Sequence, residues 1–224
     1  MLAPVPQPFS IPVSGGTVSA CLCRPTDATA CYVLAHGAGA GMHHAFLASV
    51  SEGLAARRIA TLRYQFPFME RGSKRPDPAP VAQATVRAVI AHALDRVPDL
   101  PLFAGGKSFG GRMTSQSQAI EPLPQIRGLV FLGFPLHPAK KPSQDRAAHL
   151  AQVECPMLFL QGTRDELADV ELIRGVAAEL GERATLHLFA DADHSFHVRA
   201  RSGQTDRQVL DSMLDAISTW IAAR

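Results

Sequence analysis

The sequence is poor in several things, and each shortage removes a class of function. Its charges are nearly balanced, 22 Lys+Arg against 20 Asp+Glu for a net charge of +2, and no run of basic residues concentrates them. A nucleic-acid-binding or membrane-surface role therefore has no electrostatic footprint. Uninterrupted apolar stretches reach only about six residues, too short for a transmembrane helix. The opening MLAPVPQPFS has neither a basic n-region nor a long apolar core, so no signal peptide is expected and the expected location is cytoplasmic. Four cysteines are too few and too scattered for a disulfide framework, and the Cys21/Cys23 pair has no second pair or nearby histidine to complete a zinc site. They read as buried reduced thiols. With 17 glycines and 17 prolines, the composition is not low-complexity.

What remains is a chain of 224 residues, 46% hydrophobic and 19% charged, of single-domain length and able to bury a sizeable core. One domain over 1–224 is expected. Short apolar runs alternate with amphipathic segments. Strands are expected at Thr17–Cys23, Cys31–His36, Ile59–Tyr64, Leu102–Gly106, Gly128–Gly133, Pro156–Gln161 and Thr185–Phe189, with Phe9–Val13 as a hairpin arm weakened by Pro12. Helices are expected at His44–Arg57, Ala79–Val97, Phe109–Ile120, Gln144–Val153 and Ala168–Leu180, the last ended by Gly181, and from Thr205–Asp206 to Ala223. This alternation implies an α/β fold, a mostly parallel twisted sheet of about 7–8 strands with helices on both faces. The Pro-rich stretch Gln65–Pro80 follows a strand, which suits either a loop at the site or an ordinary surface excursion.

The run Leu102–Gly111, LFAGGKSFGG, contains Gly106-x-Ser108-x-Gly110 between a strand and a helix. This is the nucleophile-elbow pattern: the serine sits on a sharp strained turn, and larger residues two positions away would collide. Gly106-Lys107-Ser108 also looks like the end of a phosphate-binding loop, but that motif needs a glycine where Pro101 stands. A serine needs a base, and the base an orienting carboxylate. Asp165 follows the strand ending at Gln161, and His194 follows the strand ending at Phe189. Three strand ends thus deliver Ser108, Asp165 and His194 to one edge of the sheet. Asp191, Asp193 and Glu166 are rival acids; His187 and His197 are rival bases. The aspartates beside His194 suit loop shaping better, and His187 falls inside a strand.

Acyl transfer also needs donors aimed at a developing oxyanion. The N–H of Phe109 follows the nucleophile, and His36-Gly37-Ala38-Gly39 is a glycine-rich turn after a strand, with Ala38 as second donor and Gly39 as its alternative. Candidate substrate-binding walls are Met42, His43, Phe66, Phe68 and Phe134, with Phe109, Leu136 and Phe196; each also suits the core. Lys107, Arg71, Lys74 and Arg75 suit either an anionic acyl group or a solvated surface. Only about 22 residues separate Gly133 from Pro156, so no separate cap domain fits.

These residues resemble the α/β-hydrolase superfamily, and within it the small dienelactone-hydrolase-like branch. Gly105-Gly106-Lys107-Ser108-Phe109-Gly110-Gly111-Arg112, with Phe66-Pro67-Phe68-Met69-Glu70 and Arg75-Pro76-Asp77, further resembles the testis-expressed-protein/NSL-complex-subunit family of hydrolase-like proteins. The resemblance implies an eight-strand-type sheet and a Ser-His-Asp triad, but no defined substrate. Dienelactone hydrolases carry cysteine where this chain carries Ser108, which argues against a dienelactone substrate. The expected activity is hydrolysis of a small or medium carboxylic ester or thioester, with no metal or organic cofactor. The alternatives are amide hydrolysis and a non-catalytic scaffold.

Overall fold

The structure, a computed structural model, describes residues 4–224. Eight strands form one sheet: β1 (Gln7–Val13), β2 (Gly16–Cys23), β3 (Ala30–Ala35), β4 (Ile59–Tyr64), β5 (Leu102–Lys107), β6 (Ile126–Leu132), β7 (Met157–Gly162) and β8 (Ala184–Phe189). Their spatial order is β1-β2-β4-β3-β5-β6-β7-β8. The β1–β2 and β2–β4 pairings are antiparallel, and every later pairing is parallel.

Strands β3, β4 and β7 are buried along their whole length, which explains why β3 and most of β7 read as apolar runs, whereas β4 carries the buried polar residues Thr61 and Arg63. Strand β1 alternates because it lies at the sheet's edge. Pro12 is tolerated there: an edge strand keeps one side free of ladder bonds, so a missing N–H costs little.

Helices cover both faces. Helices α1 (Ala45–Ala55) and α6 (Asp206–Ala222) pack on one face, where Leu47, Val50, Met213 and Ile217 share a buried cluster with Tyr32 and Phe103. Helices α3 (Ala79–Arg96), α4 (Phe109–Ile120) and α5 (Val170–Leu180) cover the other, with Val86, Ile90, Met113 and Ile173 against Phe131 and Phe159. Fully burying such a side chain contributes about 1.5–3 kcal/mol. Helix α6 starts at a capping box in which Thr205 and Gln208 satisfy each other's backbone N–H groups. Gly181 ends α5 at φ 60.

Two elements differ from expectation. Residues 144–153 form a 3-10 helix at Asp145–Gln152 instead of an α-helix. Bonds such as Ala147 N–H to Gln144 O at 2.8 Å close the tighter turns, and Pro156 soon ends the segment. A one-turn helix, α2 (Pro67–Glu70), interrupts the Pro-rich stretch. The segment between β6 and β7 packs that 3-10 helix on α4, with Ser115 Oγ 2.8 Å from His149 Nε2, and forms no cap domain.

The cysteines are free, and burial pushes the Cys31 thiol up to about 12. Among the described residues no His/Cys/Asp/Glu cluster could hold a metal ion, and no helix is long and apolar enough to cross a membrane.

Candidate active site

The chain leaves β3 outward to β4 and returns to β5 on β3's other side. The C-terminal ends of β3 and β5 therefore flank the point where the sheet reverses its winding, the usual ligand crevice of an open α/β sheet. Ser108 lies there, between β5 and α4, at φ 50 and ψ −115. An L-residue seldom adopts this conformation.

The flanking glycines explain how it is held. A Cβ on Gly106, itself at φ 144, would strike the Ala35 carbonyl, and one on Gly110 would lie 2.5 Å from His36 O. The elbow is thus pressed directly against the end of β3. Its apex is tied down by Ser108 N–H, which donates to Leu132 O at 3.2 Å.

His194 Nε2 is 2.9 Å from Ser108 Oγ, and His194 Nδ1 is 2.7 Å from Asp165 Oδ2. With the Nδ1 proton directed at the carboxylate, Nε2 is left to accept from the serine hydroxyl. The Asp165 side chain is 0% exposed and that of His194 25%. Asp165 meets the cost of its burial with three donors: His194 Nδ1, Gln161 Nε2 at 2.5 Å and Leu167 N–H at 2.8 Å. Gln161 is itself buried, and its Oε1 accepts from Phe134 N–H at 2.8 Å.

The rivals lie elsewhere. Asp193 Oδ1 accepts from the N–H groups of Ser195 and His197, shaping the loop. Asp191 and Glu166 are exposed and bind neither histidine nor serine in this chain of bonds. His197 is exposed and paired with Asp206 at 2.8 Å, and His187 is an exposed strand residue stacked on Phe189.

His36, at the end of β3, faces inward. Its Nδ1 donates to Gly37 O at 2.7 Å, and its Nε2 accepts from Phe66 N–H at 2.9 Å. Burial drives its pKa down to about 4, so the ring is neutral. Phe66 and Phe68 pack edge-on against it and stack on each other, and Phe109 packs edge-on against both phenylalanines. The following turn runs beside the elbow: a Cβ on Gly37 would sit 3.8 Å from Ser108 Cβ. Ala38 lines the pocket above Ser108, and Phe109 opens α4, where first-turn N–H groups lack helical partners.

A pocket of about 420 Å³ opens over Ser108 and His194. Its apolar wall is Ala38, Ala40, Phe46, Leu47 and Leu167, and His44, Lys107 and Ser195 add polar groups. Most of the wall expected from sequence lies elsewhere. Met42, Phe66, Phe68 and Phe134 are buried at 2%, 0%, 0% and 1% exposure and line no part of this pocket. Phe66 and Phe68 are drawn under His36, Met42 is fixed by Gln65 and Arg63 through its backbone, and Phe134 packs on Phe131 and Phe159. His43 is exposed outside the pocket. Arg71, Lys74 and Arg75 are also exposed outside it, Arg71 paired with Asp77 at 2.5 Å; Lys107 alone of the four basic candidates lines it.

Gln161 and the α1 wall were missed from sequence. Gln161 left a signal as the single polar side chain inside the apolar run Met157–Gln161, four residues before Asp165. Phe46 and Leu47 gave the ordinary signal of a helix's core face.

Solved structures with this architecture include an α/β serine hydrolase without lid from Xanthomonas campestris, with TM-score 0.75 and 18% identity over 98% of this chain and 97% of that one. Another is a dienelactone hydrolase from Anabaena variabilis, with TM-score 0.75 and 21% identity over 99% of each chain. A third is a cold-adapted esterase from an Arctic intertidal metagenomic library, with TM-score 0.69 and 18% identity over 96% and 93%. At such identities the likeness is one of fold. The narrower resemblance to the testis-expressed-protein family rests on the sequence motifs alone. A family profile described as alpha/beta hydrolase domain matches residues 28–222, from just before β3 to the last residue of α6, and the chain belongs to that family.

Proposed function

We propose that the protein is a serine hydrolase that cleaves a small or medium carboxylic ester or thioester, working as one domain over 1–224. The observation that carries this reading is the unbroken chain Ser108 Oγ–His194–Asp165, at 2.9 and 2.7 Å, opening on a mostly apolar pocket. Its hydrolase-family membership and the esterase and dienelactone hydrolase among its structural neighbours support the same chemistry.

In this mechanism Ser108 Oγ attacks the substrate carbonyl and His194 Nε2 takes its proton. Asp165 holds the imidazole in the tautomer that leaves Nε2 free, and then stabilises the imidazolium. The N–H groups of Phe109 and Ala38 receive the oxyanion, aided by the dipole at the start of α4. Collapse of the tetrahedral intermediate expels the alcohol or thiol, which leaves with the proton from His194. Water, deprotonated by His194, then attacks the acyl-enzyme and releases the acid. No step calls on a metal or organic cofactor. The acyl group lies along Ala40, Phe46, Leu47 and Leu167.

The test is hydrolysis of p-nitrophenyl esters of increasing chain length by the wild type and by Ser108→Ala, with labelling by a serine-directed phosphonate. The expected result is turnover by the wild type, a loss of about a thousandfold or more in the variant, and labelling confined to Ser108. A wild type inert on every ester, and unlabelled, would overturn the reading and favour a non-catalytic scaffold.

A further inference from the structure

The reaction just described makes no use of Lys107, the last residue of β5, although its side chain lies on the pocket. Its stem passes the turn after β3, so that a Cβ on Gly37 would meet Lys107 Cγ at 3.6 Å. Its Nζ donates to His194 O at 2.6 Å and lies 5.7 Å from the centre of the Phe196 ring. Gly133, at φ 70, keeps this space open: a Cβ there would fall 3.1 Å from Lys107 Nζ and 3.4 Å from His194 Cε1 and Nδ1.

The ammonium therefore ties the strand that carries the nucleophile to the loop that carries His194. That loop needs such a tie. It follows β8, the last strand of the sheet, and holds Asp191 and Phe196 at φ 58 and 63. The charged and titratable groups facing the ammonium are Asp165, Asp193 and His194. Burial outweighs the attraction of the two carboxylates and brings the Lys107 pKa down to about 8.

We infer that Lys107 is a positioning residue, whose ammonium, bonded to the His194 carbonyl, fixes the imidazole over Ser108 Oγ. The inference rests on the function proposed above. A methionine at this position keeps most of the stem and loses the bond, whereas an arginine keeps a cation that can reach the carbonyl. Displacing a catalytic group by about 1 Å can cost about a hundredfold in rate.

The experiment compares Lys107→Met, Lys107→Gln and Lys107→Arg with the wild type in ester hydrolysis, after circular dichroism has established that each is folded. The expected outcome is a fall in kcat of about 10–100-fold in the Met and Gln variants, with KM within about threefold, and recovery of most of that loss in the Arg variant. The wild-type kcat should also decline as pH rises through about 8, and the Arg variant should hold its rate across that range. A kcat loss below about threefold, a loss carried by KM, or an Arg variant as poor as the Met variant overturns the inference. Should Met and Gln both fail to fold, the alkaline profiles of wild type and Arg variant decide, and identical profiles overturn it. A wild type that is inert and unlabelled by phosphonate removes the catalytic reading and this inference together. An active wild type indifferent to Lys107 removes this inference alone.

Discussion

The loops after β3 and β8 each begin close to a histidine, and the two histidines could hardly differ more. His36 is buried, neutral and bonded at both nitrogens to backbone groups, the Gly37 carbonyl and the Phe66 N–H. His194 is partly exposed and bonded at both nitrogens to side chains, a buried carboxylate and a hydroxyl. Backbone partners keep their protonation state, so His36 serves as a fixed joint between two loops. A carboxylate and a hydroxyl partner suit His194 to the proton-transfer role proposed for it. Residue type and position at a strand end do not separate the two roles; the chemistry of the two partners does.

The comparison is broken most severely at His194. His194→Ala and Asp165→Asn should each lower kcat by about ten-thousandfold, the first by removing the base and the second by holding the wrong tautomer. Thermal unfolding should show both variants folded, because neither change opens the core. A kcat within tenfold of wild type in either would place the chemistry elsewhere.

His36→Leu should do the reverse, leaving Phe66 N–H as a buried donor without its acceptor, at a cost of about 1–3 kcal/mol in denaturant unfolding. The same ring sets an acid limit. His36 binds a proton less readily folded, near 4, than in the unfolded chain, near 6.5. Unfolding therefore takes up a proton, and stability falls as pH drops from about 6.5 to about 4, by on the order of 3 kcal/mol. His149, also lowered to about 4 by burial and by Arg112, adds to the loss in that window. In His36→Leu the fall should be shallower than in wild type; equal slopes in urea melts at pH 7 and 5 would refute the assignment.

A finer probe is Gln161→Leu, which removes one donor from Asp165 and the acceptor of the Phe134 N–H while leaving His194 itself unchanged. We expect kcat to fall about 10–100-fold with KM little changed. The smallest effect belongs to the exposed His197–Asp206 pair. His197 is raised by its hydrogen bond to Asp206, so its contribution is present below the ordinary imidazole range and fades as pH rises through the raised value. His197→Gln should therefore shift Tm only slightly, more at pH 6 than at pH 8.5, and leave kcat unchanged.

Much of the fold was legible because parallel strands covered on both faces read as apolar runs, as Ala30–Ala35 and Met157–Gly162 do. The order of Ser108, Asp165 and His194 was legible because each follows such a run. The elbow was legible because its glycines answer a local collision with β3. The pocket wall was not. Phe66, Phe68 and Phe134 were singled out as large apolar residues near loops, yet loops can turn such residues inward, and His36 gives Phe66 a backbone partner there. The wall comes instead from Phe46 and Leu47 in the first turn of α1, whose spacing resembles that of any core helix. The 3-10 helix at Asp145–Gln152 was misread for a related reason: an eight-residue segment cannot distinguish its hydrogen-bond pattern by periodicity.

That 3-10 helix lies against α4 and contributes no residue to the pocket lining. For an ester bound at Ser108, the consequence concerns time and cargo. On the reading proposed above, the segment between β6 and β7 need not swing aside before the alcohol departs or the attacking water arrives. On that reading the same segment sets no ceiling on the leaving group, and selection falls to the wall of Ala40, Phe46, Leu47 and Leu167.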